Sequence, residues 1–286
     1  MEQLFKCSAL LVILGMVLDL AMSASFSELF EPNWAPDHIL NEGNLTRLSL
    51  DTNSGCGFQS KSTYLFGKVN AEIKLIEGDS AGTVTAFYMR SEGFNHDELD
   101  FEFLGNVSGE PYLIQTNVYT NGTGDREQRH TLWFDPTADF HTYAVSWTRY
   151  SIVFLVDEIP IRVYANKEEE GVLFPKSQAM GIYGSVWNAD DWATQGGRVK
   201  TNWSDGPFVS WFRSFGVDAC ELKPDDEDNM LVQCRESDQF WWNKPAMGGL
   251  SRHKTHQLKW VRAKHLVYDY CKDTTRFAQL PKECVN

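Results

Sequence analysis

Along most of the chain, apolar and polar positions follow the short periods of extended strands. Lys68-Val69-Asn70-Ala71-Glu72-Ile73-Lys74-Leu75 alternates polar and apolar, which sends successive side chains to opposite faces of a strand. Tyr143 to Trp147 and Ile152 to Val156 are read the same way. Turn signals separate these runs at Glu77-Gly78-Asp79, Asn121-Gly122 and Asp157-Glu158-Ile159-Pro160. From about Leu45 to Asp218 such spacing, with little helical periodicity, predicts an all-β fold, an antiparallel β-sandwich. Glu221 to Asp228 is polar, acidic and contains Pro224, and reads as a loop or linker. Beyond it, Thr255 to Tyr268 is predicted helical, with Leu258, Val261, Leu266 and Val267 partly on one face. No repeat of fixed period is visible. The expected organisation is a leader over 1–24, a sandwich over 25–218 and a C-terminal extension over 219–286.

The leader changes the compartment. Lys6 precedes an apolar run from Leu10 to Val17, and Ala21, Ser23 and Ala24 offer a small-residue cleavage site. The run is too short to span a bilayer and Asp19 interrupts it, so a signal peptide and a secreted, extracellular protein are expected. Of the six cysteines, Cys7 leaves with the leader. Cys220, Cys234, Cys271 and Cys284 crowd the last quarter, where an oxidising compartment favours two disulfides. Four cysteines allow three pairings; Cys220–Cys234 and Cys271–Cys284 are expected because both close short loops. No C-x-x-C favours zinc instead. Cys56, between Gly55 and Gly57, is expected to be a buried free thiol. Sequons stand at Asn44, Asn106, Asn121 and Asn202, each a glycosylation candidate on an exposed segment. The formal net charge of −13 gives no footprint for nucleic acid and favours a neutral partner.

The candidate chemistry lies in His96-Asp97-Glu98-Leu99-Asp100-Phe101-Glu102-Phe103-Leu104-Gly105. On a strand, Glu98, Asp100 and Glu102 share one face with His96, and Leu99, Phe101 and Phe103 share the other. Three adjacent carboxyls repel, so at least one is expected to hold a proton near neutral pH. Glycoside cleavage uses that arrangement, one carboxylate attacking and another carboxyl protonating the leaving oxygen. A solvated acidic edge strand is the bland alternative. A calcium site is weaker, because calcium favours loop ligands with backbone carbonyls.

This decapeptide resembles the H-D-E-I-D-F-E-F-L-G signature of plant xyloglucan endotransglucosylase/hydrolases, a branch of glycoside hydrolase family 16, with Leu99 for Ile on the core face. The resemblance continues in Gly57-Phe58-Gln59-Ser60-Lys61, in Gly78 to Tyr88, in Trp187 to Thr194 with Gly196-Gly197, and in Trp241-Trp242 and Tyr268-Asp269-Tyr270-Cys271. It implies a jelly-roll, concanavalin-like sandwich whose extension is specific to the family. It implies Glu98 as nucleophile, Glu102 as general acid/base and Asp100 as the residue that tunes the nucleophile, with Asn106 as the usual glycosylated position. It further implies glucan contacts from Gln115, Thr116, Asn117, Asp125, Arg126, Glu127, Trp187, Asp191, Trp192, Gly196 and Arg276.

Residue chemistry supports part of this set. Gln115 and Asn117 share a strand face and offer amides to sugar hydroxyls, and Trp187 and Trp192 have flat faces for sugar rings. Core packing for the tryptophans and a surface ion pair for Asp125 and Arg126 remain open at this point, as does a purely structural His96. Trp241-Trp242 reads as packing of the extension on the sandwich. Cys56, the additional sequons and the acidic 221–230 stretch depart from the family pattern.

The resemblance implies a retaining transferase: a xyloglucan chain is cleaved through a covalent glycosyl-enzyme and passed to another xyloglucan polymer or oligosaccharide in the plant cell wall and apoplast. No cofactor or metal is required, and a monomer is expected. The short segment from Asn117 to Arg129 is similar to that of transferase members and ranks transfer above hydrolysis. A plain endohydrolase is the first alternative; a non-catalytic glucan-binding wall protein is the second, and the intact acidic row argues against it.

Overall fold

The computed structural model describes residues 25–223 and 228–285; the expected signal peptide, with Cys7, lies outside the described residues. A short helix α1 (Phe26–Leu29) opens the described chain. The first strands are β1 (Phe30–Trp34), β2 (Ile39–Glu42), β3 (Leu45–Leu50), β4 (Cys56–Ser60) and β5 (Thr63–Lys74). Then come β6 (Thr83–Arg90), β7 (Glu98–Leu104), β8 (Leu113–Tyr119), β9 (Gln128–His130) and β10 (His141–Trp147). The last are β11 (Ser151–Val156), β12 (Ile159–Ala165), β13 (Gly181–Asn188), β14 (Phe208–Leu222) and β15 (Leu266–Asp269). They form two antiparallel sheets, in the orders β1-β4-β13-β6-β7-β8-β9-β15 and β12-β11-β10-β5-β14-β3-β2. The sandwich expected from the period-two pattern is therefore the fold.

The inner faces are aromatic. Leu99, Phe101 and Phe103 of β7 are fully buried, and they meet the second sheet edge-on. Phe103 lies 4.6 Å from Tyr143 and Phe101 lies 5.3 Å from Phe154, ring centre to ring centre. Burying each ring stabilises by roughly 1.5–3 kcal/mol, so this row fixes which face of β7 carries the carboxyls: a one-residue slip would put them in the core. Phe101→Ala would cost about 3–5 kcal/mol through the cavity it leaves.

Three element boundaries differ from the sequence reading, each for a local reason. Asp157 and Glu158 alone make the β11–β12 turn, both with positive φ, and Ile159 and Pro160 already belong to β12; the ladder shifts register next to Pro160, which has no N–H to give. β14 carries Glu221 and Leu222, paired with Tyr64 and Thr63, so the first two positions of the predicted 221–228 loop are strand; 224–227 lie outside the described residues, and helix α2 (Asp228–Glu236) begins at the last position. The predicted 255–268 helix is α3 (Arg252–Lys264), capped by the Ser251 hydroxyl, which accepts from the Lys254 N–H. It stops before Leu266 because Leu266, Tyr268 and Asp269 pair with β9, a tertiary ladder that overrides local helical pattern.

The extension is built into the sandwich. Disulfides join Cys220 to Cys234 and Cys271 to Cys284, as expected from the short loops. Trp242 is buried and donates its indole N–H to the Cys234 carbonyl, while Trp241 donates to Asp218. Cys56 is a buried free thiol. No helix among the described residues is long and apolar enough to cross a membrane.

Candidate active site

The ladder β6-β7-β8 sets the site. On its outward face Arg90, Glu98 and Tyr119 stand side by side, then Tyr88, Asp100 and Asn117, then Ala86, Glu102 and Gln115. The three carboxyls thus emerge from the middle of an eight-stranded sheet. They line an open cleft of about 330 Å³ with Ala86, Tyr88, Arg90, Tyr119, Ser185 and Trp187. A larger hollow of about 460 Å³ beside Asn106, with Glu110 and Asp135 in its lining, contains none of the row.

Each carboxyl has a different environment. Glu98 Oε2 is 3.0 Å from Arg90 Nε and 3.0 Å from His96 Nε2, so it is held between two basic side chains. Asp100 is 5 % exposed, and burial first, then the charges of Glu98 and Glu102, hold its proton affinity well above the usual carboxyl range. A side-chain hydrogen bond with Glu98 acts in the same direction, the response expected of neighbouring acids that share a site. Burial also raises Glu102, with Glu98 and Glu127 adding to the effect, while a hydrogen bond from Gln115 and the charge of Arg129 oppose it. Glu98 thus sits against two basic groups while Glu102 is buried with its proton affinity raised; double displacement at an acetal needs one carboxylate to attack and another carboxyl to give a proton.

Of the residues singled out in the sequence, the sheet brings some to the row and not others. Gln115 lies opposite Glu102, and its Nε2 donates to Glu102 Oε2 at 2.6 Å. Asn117 lies opposite Asp100 but is buried, with Oδ1 accepting from the Val118 and Arg126 N–H groups. Thr116 is on the other face, opposite Phe101, where its hydroxyl and carbonyl accept from the buried Arg162. Arg126 is tied to Glu283 at 2.7 Å and to the carbonyls of Val118, Thr123 and Gly124, so its guanidinium clamps a turn to the C-terminal tail. Arg276 joins Asp125 at 2.5 Å and Glu127 at 2.6 Å, one cluster from three of the predicted positions. Trp187 lines the cleft and tilts against Trp192 with centres 6.0 Å apart. Asp191 and Gly196 are exposed on the loop that follows β13, Gly196 with φ +68°. Asn44, Asn121 and Asn202 are exposed and Asn106 is half-buried.

Sequence reasoning missed Tyr88, Arg90, Tyr119, Arg129 and Ser185. Only the cross-strand register puts them beside the row. Tyr88 stacks on Tyr183 with centres 5.0 Å apart, and burial foremost, then the nearby carboxylates, raises its phenol, so Tyr88 stays a neutral donor. His96 bridges Glu98 and the Tyr119 ring.

Residues 26–205 match the model of Glycosyl hydrolases family 16, and residues 236–284 match the Xyloglucan endo-transglycosylase (XET) C-terminus. The chain is 58 % identical to Xyloglucan endotransglucosylase/hydrolase protein 9 of Arabidopsis thaliana, over 98 % of this chain and 96 % of that one. It is 60 % identical to Xyloglucan endotransglucosylase protein 6 of Diospyros kaki, over 92 % and 89 %. Among solved structures, the Bacillus licheniformis beta-glucanase superposes with TM-score 0.54 at 24 % identity, covering 65 % of this chain and 90 % of that one. The apo Crh5 transglycosylase gives 0.56 at 22 % identity, covering 71 % and 82 %. Those two likenesses speak to the fold alone. With 26–205 and 236–284 both matched and relatives of this identity over nearly the whole chain, the chain belongs to glycosyl hydrolase family 16, in the branch that carries the xyloglucan endo-transglycosylase C-terminus.

Proposed function

We propose that this protein is a retaining xyloglucan endotransglucosylase, with Glu98 as nucleophile, Glu102 as general acid/base and Asp100 as the proton-holding neighbour of Glu98. The observation that carries the roles is the split of the row: Glu98 beside Arg90 and His96, Glu102 and Asp100 buried and raised. In the first step Glu98 attacks the anomeric carbon of a backbone glucose. The bond to the leaving chain breaks, and the Glu102 proton goes to the departing oxygen. A covalent glycosyl-enzyme remains, with Glu102 now a carboxylate. In the second step Glu102 takes the proton of an acceptor hydroxyl as that oxygen attacks the same carbon, and Glu98 is released.

The donor class rests on relatives named for xyloglucan endotransglucosylase activity over nearly the whole chain. Transfer ranks above hydrolysis because only eight residues, 120–127, separate β8 from β9, leaving the cleft floor open for an acceptor chain to lie in. Trp187 and Trp192 offer ring faces to the glucan, and Gln115, Asp125, Glu127, Asp191, Gly196 and Arg276 are assigned to the groove walls. We assign residues 25–218 to the catalytic sandwich and 219–286 to the extension, and we assign the chain to the plant cell wall as a secreted monomer with Asn106 glycosylated.

The test uses purified protein, high-mass xyloglucan and labelled xyloglucan oligosaccharides, alongside Glu98→Ala. Label entering polymer, and a dead variant, are expected. New reducing ends without label in polymer would make the enzyme a hydrolase. Retained activity in Glu98→Ala would remove Glu98 from its assigned role.

A further inference from the structure

The cross-strand row through Glu102 does not end at Gln115. Gln115 pairs with Arg129 of β9, and Arg129 pairs with Tyr268 of β15. The row Glu102, Gln115, Arg129, Tyr268 therefore crosses from the catalytic strand into the C-terminal extension. The side chains follow the ladder. Arg129 Nε donates to Gln115 Oε1 at 2.7 Å, and Gln115 Nε2 donates to Glu102 Oε2 at 2.6 Å. The Arg129 guanidinium lies over the Tyr268 ring, 5.5 Å from its centre. Tyr268 is held in turn by Asp273, whose carboxylate accepts from its hydroxyl at 2.9 Å.

The direction of these bonds matters. A glutamine amide has a donor end and an acceptor end of nearly equal size and turns over readily when nothing selects one. A guanidinium only donates. Arg129 therefore fixes Oε1 toward itself and leaves Nε2 as the end facing Glu102. Turned over, the amide would present an oxygen to the carboxyl and repel its ionised form. Each end of the Gln115 amide thus has a protein partner, Arg129 at the oxygen and Glu102 at the nitrogen.

We propose that Arg129 is a positioning residue for Glu102, acting through the Gln115 amide, and that the C-terminal extension takes part in the acid/base step by seating Arg129 on Tyr268. This rests on the assignment of Glu102 as acid/base above. Arg129 touches no reacting atom; it selects the amide orientation that holds the Glu102 carboxyl toward the leaving oxygen.

The experiment compares kcat/KM of the full-length enzyme on two donors that differ in leaving group. One is a xyloglucan oligosaccharide, whose departing sugar oxygen needs a proton. The other is its chloronitrophenyl glycoside, whose phenolate leaves without one. kcat/KM reports steps up to departure of the leaving group, so acceptor chemistry does not enter. Arg129→Met should lose about tenfold to a hundredfold on the sugar donor, a part of what general acid catalysis supplies. On the aryl donor it should lose less than about threefold. Arg129→Lys keeps a donor and a charge and should recover part of the loss. The arginine charge and the amide N–H both favour ionised Glu102, so the alkaline limb of the Arg129→Met profile should move to higher pH. Tyr268→Ala should give a weaker copy of this behaviour, and Tyr268→Phe, which keeps the ring, less still.

Equal losses on both donors, or an unmoved alkaline limb, would overturn the proposal and leave Arg129 as packing. Should Arg129→Met misfold, Arg129→Lys and Tyr268→Ala read the same two ratios. Glu102→Ala separates the premise: it should spare the aryl donor even more clearly. If Glu102→Ala loses both donors alike, the acid/base assignment itself falls, whatever Arg129 does.

Discussion

His96 Nε2 and Glu98 Oε2 stand 3.0 Å apart, with the imidazole laid against the Tyr119 ring 5.5 Å away. Arg90 reaches the same oxygen at the same distance from the other neighbouring strand. The two contacts are not equivalent. The Arg90 side chain is 38 % exposed and the His96 side chain 16 %, so water screens Arg90 more strongly. His96→Leu is expected to lower kcat on the order of tenfold, and Arg90→Leu by no more than about fivefold, which corresponds to ~1 kcal/mol for a solvent-screened pair. Steady-state kinetics on one donor checks the order; a larger loss from Arg90 would reverse the argument.

Asp100 makes a prediction about stability rather than rate. Its carboxyl ionises near 3.8 in an unfolded chain and well above that when folded, because burial and the charges of Glu98 and Glu102 penalise the anion. Above pH 3.8 the folded state therefore binds more protons than the unfolded one, and stability falls as pH rises toward the folded value. Asp100→Asn keeps the shape and a donor toward Glu98 but cannot ionise. Its Tm should exceed that of the wild type at neutral pH, with the difference shrinking toward pH 4. Melting curves between pH 4 and 8 test this; a constant difference would mean that Asp100 is ionised in the fold.

Much of this site was readable before any coordinates. The alternation in Glu98 to Phe103 separates a core row from an acidic row, and the burial of Leu99, Phe101 and Phe103 follows it. The disulfide partners followed from loop length. What local pattern cannot carry is register. Arg129 reaches Gln115, and Tyr88 reaches Asp100, only because β8 with β9 and β6 with β7 pair in one alignment out of several that preserve alternation. Thr116 is a different case: the family resemblance implied a glucan contact, yet period two sends it to Arg162 while Gln115 goes to Glu102. Leu266 to Tyr268 shows the complementary failure, where a segment read as helix gains more by pairing with β9.

Cys56 should be chemically silent in the native protein. It is fully buried, its Sγ donates to the carbonyls of His38 and Ser49, and burial pushes the thiol up to about 12. The thiolate is the reactive species, so both access and ionisation are withheld. Titration with a disulfide reagent at pH 8 should find no reactive thiol in the folded mature chain and one after denaturation, with both disulfides left oxidised. A thiol that reacts without denaturant would mean that the β3–β4 region opens locally.

Trp187 and Trp192 separate sugar binding from packing. Trp187 lines the cleft, and both rings pack on a small cluster of Val84, Leu104, Ala189 and Ala193. A ring that only packs would, when removed, cost stability and leave substrate binding intact. A ring that also carries glucan loses an apolar face with specific geometry, worth about 0.5–1.5 kcal/mol beyond its area. Trp187→Ala is therefore expected to raise KM for xyloglucan by roughly tenfold, with a smaller effect on kcat because the ring is not at the reacting atoms. Trp192→Ala should raise KM less, since Trp192 is absent from the cleft lining, and should lower Tm more evenly with its packing. Measuring KM, kcat and Tm for both variants decides the matter: an unchanged KM in Trp187→Ala, with Tm lowered, would make Trp187 a packing residue and move the glucan path away from β13.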